Sequence, residues 1–236
     1  MELMRPDADR ICPEWQVYEP LLGLDGASIL ELGCGKAELT RRIASGGRDR
    51  RVVALEVDEV QHALNLEIRD LPNVEFRLGA AEAIPVADAS MDVVLLFKTL
   101  HHVPVALMSA ALREICRVLR PGGYVYVSEP VFAGPFNDIL KLFHDESHVR
   151  LAAFEALEVA VATGLFELTD EIFFKAPQRY ADFAAFERDV IGVTHTRHHL
   201  TPQVHAEVRR RFEQHMTRDG VLFEAPMRVD LLRRPS

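Results

Sequence analysis

The alternation of strand and helix signals between residues 28 and 129 predicts an α/β fold built on a doubly wound parallel sheet. Three observations carry this expectation. The apolar segments 29–32, 52–55 and 93–97 are nearly continuous rather than alternating, as strands buried on both faces read. Each strand signal is followed by a helical or loop segment long enough to return the chain to the same edge. The first strand also runs straight into Gly33-Cys34-Gly35, a tight corner that opens a helix.

The elements follow in order. Residues 28–32 form the first strand and 38–45 its helix. Residues 51–56 give a second buried strand, after which Asp58 is placed to cap a helix reaching Arg69. Pro72-Asn73 breaks that helix, and 74–78 alternates as a third strand. Residues 91–97 form a fourth strand. An amphipathic helix over 105–119 ends at Arg120-Pro121-Gly122-Gly123, and the fifth strand covers 124–129. Beyond it the pattern predicts an alanine-rich helix over 147–163, a strand over 166–176 limited by Pro177, and helices over 180–190 and 201–216. Residues 221–232 close the chain as an edge strand interrupted at Pro226. At the amino end, Trp15, Tyr18, Leu21 and Leu22 suggest an entry helix that covers something. With no repeat and no low-complexity linker, one domain is expected over 1–236: a ligand-binding core at 26–130, lid elements at 135–220, and a final strand at 221–233.

Composition excludes some functions. The chain of 236 residues carries a formal charge of −9, from 36 acidic against 27 basic side chains. A protein that neutralises phosphates normally presents a basic stripe, so nucleic acid is not the expected partner. The cluster Arg209-Arg210-Arg211 falls in a predicted helix and reads as a solvated face. No apolar run approaches the ~20 residues of a membrane span. Three cysteines without paired spacing, and an amino terminus lacking an apolar targeting core, point to the cytoplasm.

The glycine corner indicates the ligand. Glu31 lies two residues before Gly33, where a carboxylate can face an ammonium group. Glu38 stands where a dinucleotide fingerprint has its third glycine, and it would repel a pyrophosphate at the helix start. Glu56, at the end of the second strand, can accept hydrogen bonds from ribose hydroxyls. Together these residues resemble motif I and its acidic partner in the class I S-adenosylmethionine-dependent methyltransferases, with Ala37 replacing the last motif glycine. Further segments extend the resemblance over about residues 27–130: Gly79-Ala80-Ala81-Glu82-Ala83-Ile84-Pro85, Met91-Asp92-Val93-Val94, Leu100-His101-His102, and Leu112 through Gly123. It is similar to the small-molecule type, including the ubiquinone and menaquinone methyltransferases. The resemblance implies a Rossmann-like seven-stranded sheet with an antiparallel last strand and a small helical lid, with S-adenosyl-L-methionine as cofactor.

It also implies cofactor contacts from Glu31, Gly33, Cys34, Gly35, Glu56, Val57, Ala80, Ala81, Glu82, Phe97 and Lys98. Ala80 stands where the family has an adenine-binding aspartate, so a side-chain acceptor is missing there, and Glu82 reads either as its substitute or as a helix-cap residue. Losing one such hydrogen bond costs on the order of 0.5–1.5 kcal/mol, which binding can survive. For catalysis the candidates are His101, His102 and Glu129, at the ends of the fourth and fifth strands, because imidazole titrates near neutrality. Lys98 could instead meet the cofactor carboxylate or an acidic substrate.

His144 and His148 share a helical face, and with Asp145, Glu146, His195, His198 and His199 they could hold zinc or iron. Without cysteine ligands they read better as solvated or substrate-facing groups, so no metal is expected. No Pro-Pro-aromatic segment follows the fourth strand, and no Pro-Cys pair is present in the matching position. The expected acceptor is therefore a small molecule methylated on O, N or C, enclosed in part by lid aromatics Phe173, Phe174, Tyr180, Phe183 and Phe186. A homodimer is compatible with this reading. The alternatives weighed are a non-catalytic binder of the same cofactor and a nicotinamide-dependent oxidoreductase.

Overall fold

The computed structural model describes residues 1–5, 8–193, 198 and 200–236. Its centre is one seven-stranded sheet: β1 (Ser28–Leu32), β2 (Arg51–Glu56), β3 (Val74–Leu78), β4 (Met91–Phe97), β5 (Leu119–Pro130), β6 (Glu167–Tyr180) and β7 (Val221–Arg233). The spatial order is β3-β2-β1-β4-β5-β7-β6. β1 to β5 pair in parallel, and β7 inserts antiparallel to both β5 and β6. Order reverses between β1 and β4, so the crevice at their carboxyl ends is where a doubly wound sheet accepts ligands. The sequence expectation of a Rossmann-like sheet with an antiparallel last strand is met.

Helices α1 (Trp15–Leu21), α2 (Glu38–Ser45), α3 (Glu59–Asn65), α4 (Met108–Val118) and α6 (Ser147–Ala162) cover the two faces. One core packs Leu30, Val94 and Val125 against α4 and α6; the other packs Ile29, Leu95 and Tyr126 against α1 and α2. A third, smaller cluster joins α5 (Gly134–Leu140), α7 (Phe183–Phe186) and α8 (Pro202–Glu213) through Ile139, Phe183, Phe186, Val208, Phe212 and Phe223. Two of the lid aromatics expected to line a substrate space, Phe183 and Phe186, are thus used to hold the lid together.

Three details correct the sequence reading. β7 is an internal strand, not an edge, and Pro226 lies within it. Lys175, opposite Pro226, turns its own N–H and C=O outward to residues 10 and 12. The Pro226 nitrogen therefore faces the β5 side, beyond the last paired residue of β5, Pro130, where no ladder bond is required. β6 runs through Pro177 to Tyr180, because as the edge strand it tolerates a missing donor on its open side. The expected helix over 180–190 is reduced to α7 and a π-helical turn at Glu187–Ile191. Asp58 does cap α3, accepting from the N–H of Val60 and Gln61 at 2.9 and 3.3 Å. Among the described residues no helix is long and apolar enough to cross a membrane.

Candidate active site

Glu31 is the penultimate residue of β1 and is only 2% exposed. Its Oε2 has no hydrogen-bond partner among the protein atoms. Burial, with the Glu56 carboxylate nearby, pushes its pKa up to about 7. An unmatched buried carboxylate oxygen beside the glycine corner fits a ligand that brings a positive charge.

The corner itself is left-handed at three positions: Gly33, Gly35 and Ala37 have φ of +69°, +50° and +59°. At Gly33 a Cβ would lie 2.8 Å from the side chain of Thr99, so glycine is required for closeness as well as for φ. Ala37 holds the same conformation with a methyl group, at a cost of roughly 1–2 kcal/mol. The corner is tied down from three sides. Cys34 N–H donates to Leu55 O at 2.9 Å, Gly35 N–H donates to Glu56 Oε2 at 2.7 Å, and Asn65 Nδ2 donates to Gly35 O at 2.8 Å. Glu56 Oε1 also accepts from the N–H groups of Val57 and Asp58, each at 2.9 Å. One carboxylate thus joins β1's turn, β2 and the start of α3. Asn65, buried in α3, escaped the sequence reading; its signal is an amide on an otherwise core-facing helical position.

The remaining cofactor candidates distribute unevenly. Val57 is 67% exposed at the rim. The 79–85 loop is tied to the end of β2, Gly79 N–H bonding Glu56 O at 3.0 Å, and within it Ala81 is buried and Glu82 half-buried. The Phe97 ring packs on Tyr18 and Tyr126 at 5.5 and 5.6 Å in the core beneath the sheet, so only its backbone reaches the crevice. Lys98 takes up a left-handed backbone, φ +54°, and its side chain is exposed toward a neighbouring cavity.

That cavity, of about 250 Å³, lies over the carboxyl ends of β4 and β5. Lys98, His101, His102, His144, Glu146 and Arg150 supply its polar wall, and Phe136, Leu140, Val190 and Tyr180 much of its apolar one. His101 is held on both sides. Its Nδ1 bonds Glu129, and its Nε2 points at Glu146 Oε1, 3.7 Å away. Glu129 also accepts the N–H groups of Thr99 and Leu100 at 3.1 and 2.8 Å. Burial alone would raise the Glu129 pKa, but His101 and the Leu100 N–H outweigh it and leave it below the usual range. Glu146 behaves alike: burial is outweighed by His101 and Arg150. His101 thus lies between two carboxylates, Glu129 on its Nδ1 and Glu146 facing its Nε2.

The structure therefore brings His101 and His102 together, ring centroids 4.1 Å apart, and sets Glu129 behind His101 rather than in the open. It separates the histidines expected to group on the 144–148 turn. His144 Nε2 meets Glu146 Oε1 at 2.9 Å, whereas His148 is exposed and does not line this cavity. His195 and His199 lie outside the described residues.

Comparison with known proteins agrees with this geometry. A methyltransferase domain family model matches residues 30–127, the stretch from β1 into β5. An uncharacterized methyltransferase of Schizosaccharomyces pombe is 36% identical over 122 residues, 52% of this chain and 46% of that protein. A Mycolicibacterium smegmatis protein named for S-adenosylmethionine-dependent methyl transfer is 36% identical over 155 residues, 62% of this chain and 54% of its own. The chain spans about half the length of these curated relatives. In fold it is similar to the crystal structure of the YcgJ protein from Bacillus subtilis, with TM-score 0.65 and 16% identity over 92% of this chain and 96% of that one. The glycine corner, the acidic residue ending β2 and the strand order agree with that match: residues 30–127 carry a methyltransferase domain similar to those of S-adenosylmethionine-dependent enzymes.

Proposed function

We propose that this chain transfers a methyl group from S-adenosylmethionine to a small molecule bound in the cavity above β4 and β5. The observation that carries the reading is the segment 98–102, which belongs to both halves of the site. Thr99 Oγ1 donates at 3.0 Å to Leu32 O, the carbonyl just before the Gly33 corner, and its side chain is the one a Cβ at Gly33 would strike. Its neighbours Lys98, His101 and His102 line the cavity. Cofactor cradle and acceptor space thus share one short, rigid wall.

The cofactor supplies a methyl group already activated on a sulfonium, so the protein's task is alignment in a site shielded from water. Glu56 would hold the ribose hydroxyls, Glu31 would balance the ammonium, and the backbone at Gly33, Cys34, Ala81 and Phe97 would border the remainder. His101 and His102 hold the acceptor's reacting polar atom, and Glu129 positions His101. The cavity's size suits a small molecule, and the chain's charge of −9 favours no polyanion. Three free cysteines, two of them buried, fit a reducing cytoplasm.

Calorimetry tests the first half: S-adenosylhomocysteine should bind saturably, and Glu56→Gln should weaken it by about tenfold or more, because a charged hydrogen bond is worth about 1.5–3 kcal/mol. A screen of small acceptors for homocysteine-product release tests the second half. No heat with either form of the cofactor overturns the reading; binding without turnover on any acceptor leaves a binding protein only.

A further inference from the structure

We propose that His101, His102 and Glu146 form a binding site for one divalent transition metal ion at the floor of the acceptor cavity. The three residues come from two distant parts of the chain, the turn after β4 and the start of α6, and each offers one ligand atom within 4.8 Å of the others. All three line the cavity.

The arrangement of His101 is the principal argument. Its Nδ1 is committed to Glu129, which fixes the ring and turns Nε2 toward Glu146. A histidine ligand is commonly oriented by such a carboxylate on its far nitrogen. Nε2 faces Glu146 Oε1 at 3.7 Å, too long for a hydrogen bond, and the same oxygen meets His144 Nε2 at 2.9 Å. A metal about 2.0–2.2 Å from each nitrogen and oxygen would hold them at nearly this spacing. His102, its ring tilted beside that of His101 with centroids 4.1 Å apart, offers the third ligand atom within 4.8 Å of the other two.

The charge balance is also suitable. Two carboxylates, Glu129 and Glu146, face His101, and Arg150 pairs with the other oxygen of Glu146. Two imidazoles and a carboxylate form a borderline donor set, which favours zinc, iron(II) or cobalt(II) over magnesium or calcium. Three protein ligands leave coordination positions open toward the cavity, the pattern of a catalytic rather than a structural site. The site rests on these side chains alone, so its failure would leave the methyltransferase reading untouched.

The test uses the full chain without an affinity tag, stripped with chelator and titrated with Zn²⁺ and Co²⁺ in the absence of cofactor. We expect one metal ion per chain and visible ligand-field bands with Co²⁺. His102→Ala, chosen because His102 is exposed and should not disturb folding, and Glu146→Gln should each lower affinity by tenfold or more. Glu129→Gln, acting through His101, should cost about 10–100-fold. His144→Ala should retain the one-to-one stoichiometry. Absence of saturable binding overturns the proposal. So does binding that survives both His102→Ala and Glu146→Gln, which would place the metal elsewhere in the lid.

Discussion

Single residues at the glycine corner carry two jobs that substitution can separate. Gly33 needs both a left-handed backbone and the absence of a Cβ, because Thr99 lies 2.8 Å from where that atom would be. Gly33→Ala should therefore cost at least about 2 kcal/mol, the sum of backbone strain and forced repacking. Gly35 has a similar φ but open space around its missing Cβ, so Gly35→Ala should cost only about 1 kcal/mol. Urea unfolding of the two variants measures the difference, and equal losses would contradict the assigned role of Thr99. Glu31 gives a second residue-scale prediction. Its pKa near 7 in the free protein means that it is partly protonated at neutrality. A cationic ligand beside it favours the ionised form, so cofactor binding should release protons below about pH 7 and weaken as pH falls from 8 to 6. Calorimetry at pH 6.5 in buffers of differing ionisation enthalpy reads that release directly. A binding heat independent of buffer would place the ammonium away from Glu31.

Elements were legible in the sequence where their reasons are local. β1, β2 and β4 declare themselves by unbroken apolar runs, and α3 by the Asp58 cap. β7 was legible as a strand but not as a central one, since its position depends on insertion between β5 and β6, whose partners lie about 50–100 residues away. The same distance concealed the cavity proposed for the acceptor. His101 and Glu129 follow strands that neighbour in the sheet, and so were foreseen as candidates; that Glu146 and Arg150 meet them depends on how α5 and α6 return over the edge. Clamps at the opposite edge were hidden likewise. Arg50, 5% exposed, donates to both Glu19 oxygens at 2.9 Å and to Ile43 O at 2.9 Å, joining α1 to the end of α2. Arg50→Ala should cost about 2–3 kcal/mol in urea unfolding, the worth of charged hydrogen bonds left unmade. Arg50 sits at the amino end of β2, a full strand from Glu56, so S-adenosylhomocysteine affinity should be unchanged. A large affinity loss would show that α1 communicates with the cradle.

At the scale of the whole molecule, cofactor binding and folding are linked through the buried carboxylates. Glu31, at about 7, and Asp230, raised to about 6 chiefly by burial, both have folded-state pKa values above those of an unfolded chain. Such groups contribute stability that is complete below about pH 4 and is lost as pH rises through 6 and 7. Asp230 Oδ2 accepts from Arg228 Nε at 2.9 Å, far from the glycine corner, while its Oδ1 is unbonded. Glu31 Oε2 makes no hydrogen bond in the free protein, with the Thr40 hydroxyl as its polar neighbour. The penalty for ionising Glu31 is therefore paid by the free protein alone. Saturation at about 100 times the dissociation constant stabilises by about 2.7 kcal/mol. For a chain of 236 residues this raises Tm by roughly 5–10 °C. The rise should be larger at pH 8 than at pH 6, because ionised Glu31 burdens the free state most at the higher pH. Glu31→Gln should remove that pH dependence while leaving a smaller, constant shift. A shift that is equal at both pH values in the unmodified chain would assign the ammonium-balancing role to another group.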